Sequence, residues 1–143
     1  MAQDFADRSC TPGKILYLDY QFPTEARSHN KYFVVASADD PPLLLKIRSK
    51  LTSYAMSHPH IANFHLALTK TDYGFLDGDS FLNCSEVHYG LSLAEIKGQI
   101  VSDPSRVIGD LNSGEIAQVI ELVHDSETIS PKNWKQIIKA LRA

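Results

Sequence analysis

The sequence predicts an α+β protein, a small barrel of about five to seven mostly antiparallel strands with amphipathic helices at its C-terminal end. Three observations lead there. Short β-branched, aromatic and leucine runs recur between Lys14 and Val87, separated by proline, glycine and aspartate clusters. Two later segments carry apolar residues at the i, i+3, i+4, i+7 spacing of a helix face. A chain of 143 residues, 43% hydrophobic and 22% charged, has the size and composition of one globular domain, which buries roughly two-thirds of its unfolded surface.

Residues 1–12 are polar and end in the breaker cluster Thr11-Pro12-Gly13, so a flexible leader is expected ahead of a single domain over 13–143. Lys14 to Tyr20 reads as a strand that leaves into Gln21-Phe22-Pro23. Lys31 to Ala38 is a second strand, so apolar in its middle that a central place in the sheet is expected. Asp39-Asp40-Pro41-Pro42 breaks the chain before Leu43 to Lys50, where period-two alternation puts Lys46, Arg48 and Lys50 on one face. Tyr54 to Asn63 is too broken for a regular element, whereas Phe64 to Thr69 returns to a strand pattern. Phe81 to Val87 forms another strand after the Asp77-Gly78 turn signal. Ser92 to Lys97 is read as a connection into a strand Gly98-Gln99-Ile100-Val101, with a helix start as the other reading. Asn112 and Glu115 have capping-box spacing, and Ile116, Val119, Ile120 and Val123 follow on one helical face. Ser130-Pro131 opens a second helix, with Trp134, Ile137, Ile138 and Leu141 on one stripe.

A formal net charge of −3 argues against a protein that grips nucleic acid by bulk charge, because phosphate affinity comes from lysine and arginine displacing counterions. Any such contact must be local. The acidic first residues lack the basic-then-apolar pattern of an export signal, and two cysteines do not make a disulfide framework, so a cytoplasmic protein without membrane contact is expected. No phosphate-cradling glycine loop and no Gly-x-Ser-x-Gly elbow occurs. His58, His60, His65, Cys84 and His88 are zinc-ligand types, but their spacing matches no strong motif and no metal or cofactor is expected. Asp77, Asp79 and Glu86 read as a polar turn.

Several segments together resemble the MazF/PemK family of toxin endoribonucleases: Gly13 to Tyr20, Lys31 to Ser37, Ile47-Arg48-Ser49-Lys50, Gly74 to Asn83, and Ser105-Arg106-Val107-Ile108-Gly109-Asp110-Leu111-Asn112 with Glu115. The resemblance runs roughly from Lys14 to Val123. It implies an SH3-like barrel, a homodimer, metal-independent cleavage of single-stranded RNA, and inhibition by an antitoxin protein with an acidic segment. It also implies catalytic positions at Lys31, where the family has arginine, and at Arg48 and Ser49, where it has threonine and serine. Arg27, His29, Lys46 and Lys50 would then line the RNA path.

Metal-free cleavage needs a base for the ribose 2′-hydroxyl, stabilisation of the phosphorane, and a proton for the leaving 5′-oxygen. Arg48 suits a bidentate phosphate clamp and Ser49 a hydrogen-bond donor; Lys31, if neighbouring cations lower its pKa, or His29 suits proton transfer. Two readings therefore stand: a toxin nuclease with non-standard catalytic residues, or a non-catalytic binding module of the same barrel, comparable to the CcdB group, acting through protein partners. The plainer alternatives are that Lys46, Arg48 and Lys50 form a solvated strand face and that the Trp134 stripe packs on the core.

Overall fold

The structure, a computed structural model, describes residues 2–50 and 53–143. Six strands form one sheet: β1 (Lys14–Tyr20), β2 (His29–Ser37), β3 (Leu43–Arg48), β4 (His65–Leu68), β5 (Ser80–Asn83) and β6 (Val107–Asp110). Their spatial order is β4-β5-β3-β2-β1-β6 and every neighbouring pair is antiparallel. The sheet curls into a half-barrel. The helices are α1 (Ala2–Ser9), the short α2 (Ser53–Ser57) and α3 (Pro59–Ala62), α4 (Leu93–Ser102), α5 (Ser113–Asp125) and α6 (Pro131–Arg142).

Side chains alternate faces along a strand, and here both faces are apolar. Val34, Ala36, Leu43, Leu45, Ile47 and Leu82 point to one side, where α5 and α6 cover them with Val119, Val123 and Ile137. Leu16, Leu18, Phe33, Val35 and Leu44 point to the other, beneath Ala6 of α1 and Ile96 and Ile100 of α4. This is why β2 reads as a continuous apolar run: it is central and buried on both faces. Helices were expected on one side of the barrel; α1 and α4 instead cover the face opposite α5 and α6.

Two expected assignments are overturned by packing. The supposed flexible leader contains α1, in which Ala6 and Cys10 just beyond it are buried against α4 and Asp7 pairs with Lys97 at 3.0 Å; Met1 lies outside the described residues. The supposed strand 98–101 is the second half of α4, which begins with a complete capping box: Ser92 accepts from the Glu95 N–H and Glu95 accepts from the Ser92 N–H, both at 3.1 Å. That box, with Ile96 and Ile100 one turn apart on the buried side, outweighs the β-branched Ile100-Val101 pair. Gln99 then locks α4 to β1 by exchanging two 2.9 Å hydrogen bonds with the backbone of Asp19.

The start of α5 is also built differently. Asn112 makes no side-chain cap; the Tyr73 hydroxyl accepts from the Asn112 N–H at 3.0 Å and donates to Glu115 at 2.9 Å. Buried in this way, Tyr73 has its pKa pushed up to about 12, chiefly by desolvation. Arg106, from the Ser-Arg pair, donates to Tyr17 O and Asn30 Oδ1 at 2.9 and 2.8 Å, tying the entry to β6 onto β1 and β2. Gly13 holds the one left-handed backbone position among the described residues, φ 90°, where the chain turns into β1 and its N–H reaches Val35 O. The Trp134 stripe is core packing: Ile137 is fully buried and Trp134 and Leu141 lie against the same cluster.

Candidate functional site

The register of β2 on β3 sets Phe33 opposite Lys46. Lys31 lies two residues from Phe33, and Arg48 two residues from Lys46, so alternation gives all of them one sheet face. His29 shares that parity at the exposed start of β2 and is held by Glu25 at 3.2 Å. Ser49 and Lys50 lie beyond the end of β3 and are exposed, as is Arg27 before β2. The alternation expected to carry Lys50 onto the face therefore ends at Arg48, and Ser49 and Lys50 stand in the following bend.

The floor beneath the cations is aromatic. Tyr20, Phe22 and Phe33 are buried and pack on one another at tilted angles, with ring centroids 4.7 Å (Tyr20 to Phe22) and 5.2 Å (Tyr20 to Phe33) apart. His88 meets all three rings at 5.4–5.9 Å. Its backbone pairs with Leu44, and its buried Nε2 has no partner among the described residues. Burial pushes the His88 pKa down; Glu86 opposes this, while Lys46 and Arg48 reinforce it. The Lys46 ammonium stands 4.4 Å over the Phe22 ring. Burial first, then repulsion from Arg48 and Lys31, lowers its pKa from 10.5 to about 8, against weaker opposition from Glu25 and Glu86. Lys46, expected to line the RNA path, is thus a lysine with a lowered pKa on the same face as Lys31. No carboxylate forms an ion pair with Lys31, Lys46 or Arg48 among the described residues.

Beside Arg48 opens a cleft of about 590 Å³, within the ordinary size of a small-ligand site. The α2–α3 segment forms one wall with Tyr54, β4 and β5 supply His65 and Asn83, and Glu86 and Tyr89 border the chain leaving β5. The α5–α6 connection closes the far side, where the Thr128 hydroxyl donates to Ser85 O. Sequence reading missed this cleft because its parts come from residues spread between 48 and 133, and the segment 54–63, expected to be irregular, folds as two short helices. The available signal was Tyr54, a large ring in a broken segment, which borders the cleft and is 60% exposed.

The remaining histidines serve separate environments. His58 stacks on Tyr54, His65 donates from Nδ1 to Ile61 O at 3.0 Å, and His88 belongs to the aromatic floor. Among the described residues no three His, Cys, Asp or Glu side chains gather as metal ligands, and no helix is long and apolar enough to cross a membrane. Both cysteines are free thiols, and burial raises the pKa of Cys84 to about 12. No protein-family model matches this chain, and no curated protein matches it.

Proposed function

We propose that this chain is a MazF/PemK-like toxin on an SH3-like barrel, a metal-independent endoribonuclease of single-stranded RNA that acts as a homodimer and is held inactive by an acidic antitoxin segment. The observation that carries the reading is the sharing of one sheet face by Lys31, Lys46 and Arg48, without ion-paired carboxylates among the described residues, with Arg48 at the edge of a cleft. A local cationic face is what a chain of net charge −3 needs in order to hold a phosphate backbone.

The chemistry follows from the positions. With a pKa of about 8, roughly one Lys46 in ten is neutral at pH 7, enough for a general base toward the 2′-hydroxyl. The 2′-oxygen attacks phosphorus, Arg48 holds the phosphorane oxygens in its planar fork, and the bond to the 5′-oxygen breaks. The Lys31 ammonium supplies the proton to that oxygen, leaving a 2′,3′-cyclic phosphate and a free 5′-hydroxyl. His29 is four residues from the level of Lys46, about 13 Å along the strand, so with Arg27, Lys50 and the exposed Ser49 it positions flanking phosphates.

The test is incubation of the pure protein with long RNA in excess chelator. Cleavage that disappears in Arg48→Ala and in Lys46→Met supports the reading, and cleavage unchanged in both variants refutes the site. The second reading, a binding module without catalysis, is favoured by the place of Ser49 beyond the end of β3, off the cationic face. It predicts growth arrest on induced expression with RNA left intact.

A further inference from the structure

We infer that the cleft beside Arg48 is a nucleobase pocket, which takes one unpaired base of an RNA strand whose phosphates lie over Lys46 and Arg48. The inference rests on the RNA reading above and assigns the α2–α3 segment a role in it. Tyr54 and Tyr89, 60% and 61% exposed, both border the cleft. Tyr54 is braced on one side: the His58 ring stacks on it at 3.9 Å and 19°. His58 is in turn fixed through Nδ1, 2.7 Å from Tyr54 O. Exposed aromatic rings beside a cationic face are how proteins hold single-stranded bases.

The polar lining suits a base edge better than the obvious rivals. His65 donates from Nδ1 to Ile61 O, and burial lowers its pKa, so Nε2 is an acceptor. Asn83 Oδ1 is taken by the Ser85 N–H and hydroxyl, leaving its NH₂ group as donor. Glu86 adds acceptors, while Arg48 at the cleft's edge is kept for the phosphate. A lone phosphate site would present donors only and would be repelled by Glu86; an apolar peptide side chain would leave Asn83 and His65 unpaired. Bases carry both donors and acceptors around a flat apolar face.

The probes are 2′-O-methyl heptamers of A, C and U, which resist cleavage, each compared with the same heptamer carrying one central abasic residue. With the wild-type protein the abasic residue is expected to weaken binding of the best heptamer about 5- to 150-fold. Tyr54→Ala is expected to erase that penalty and Tyr54→Phe to keep it; Tyr89→Ala is expected to reduce it. Arg48→Ala is expected to weaken intact and abasic heptamers alike. Binding that depends on Arg48 with an abasic penalty unchanged in Tyr54→Ala and Tyr89→Ala overturns the base pocket and leaves the RNA reading standing. Failure of every heptamer to bind the wild-type protein overturns both.

Discussion

Replacing Lys46 with methionine should make the protein more stable and less active. The ammonium sits 4.4 Å over Phe22, and burial with repulsion from Arg48 and Lys31 takes its pKa from 10.5 to about 8. At about 1.4 kcal/mol per tenfold change, a fall of that size corresponds to at most about 3.4 kcal/mol. Lys46 is only partly buried, and solvent screening reduces the usable part to about 1–2 kcal/mol. Between pH 8 and 10.5 the unfolded chain still binds the proton that the folded chain has lost, so stability rises with pH across that window. The penalty is complete below pH 8 and gone above 10.5. Methionine keeps an unbranched stem over the ring and adds a sulfur–aromatic contact without the charge. Lys46→Met should therefore exceed wild type by about 1–2 kcal/mol at pH 7, in urea denaturation followed by the single Trp134. Its advantage should shrink toward zero by pH 10.5, and RNA cleavage should be lost. A variant less stable than wild type at pH 7, or an advantage that does not change with pH, would refute this account of the face.

Four other outcomes are expected. Arg48→Ala should lower RNA cleavage by 10²-fold or more, on the order of losing one preorganised donor to a developing oxyanion, with Arg48→Lys recovering only part because ammonium lacks the bidentate fork. Gly90→Ala should cost about 2–3 kcal/mol, since a Cβ there would fall 2.5 Å from Tyr20 Oη and 2.9 Å from Cζ and the Tyr20 ring is held by Phe22, Phe33 and His88; Gly78→Ala, with no atom within 4 Å of its Cβ, is the control in the same urea titration. Tyr73→Phe should cost about 1–2 kcal/mol and speed amide exchange at Asn112, whose N–H loses its acceptor. Because burial lowers the His88 pKa from 6.5, the folded state resists a proton that the unfolded state accepts, so stability should fall as pH drops below 6.5 and His88→Leu should flatten that loss.

What was legible in the sequence was whatever a single element determines for itself. The boundaries of β1, and of α6 with its Ser130 cap and Pro131, follow from local period and breakers, and the structure has them at Lys14–Tyr20 and Pro131–Arg142. The run Leu43 to Arg48 alternates because Leu44 and Lys46 face one layer and Leu45 and Ile47 the other. What escaped reading depends on partners distant in the chain. Ala2–Ser9 is polar by composition and becomes ordered through α4, ninety residues on. Gly98 and the β-branched pair after it suggest a strand until the Ser92–Glu95 box and the docking of Gln99 on Asp19 are counted. At the candidate site, the shared face of Lys46 and Arg48 was readable from period two. The aromatic floor was not, because Phe22 and His88 enter it from irregular segments.

The cations and the cleft have a common cause in how that sheet face is covered. Near β1, α1 and α4 seal Leu16, Leu18 and Val35 with Ala6, Ile96 and Ile100. Toward β3 that helical cover is replaced by Phe22 and Tyr20, whose rings bury Phe33 and carry Lys46 on top. Past Lys46 the face is left to Arg48, which pairs in register with the half-buried Phe81 of β5, and to the walls of the cleft. Side chains thus pass from aliphatic to aromatic to cationic along one face as the cover thins. An apolar side chain at 46 would be the more stable choice, since partly burying an ammonium costs free energy. Retention of that cost at Lys46 is what favours a site over a solvated strand face: a lysine with no task beyond solubility would extend into water and keep its ordinary pKa, and this one lies against Phe22 with its pKa lowered.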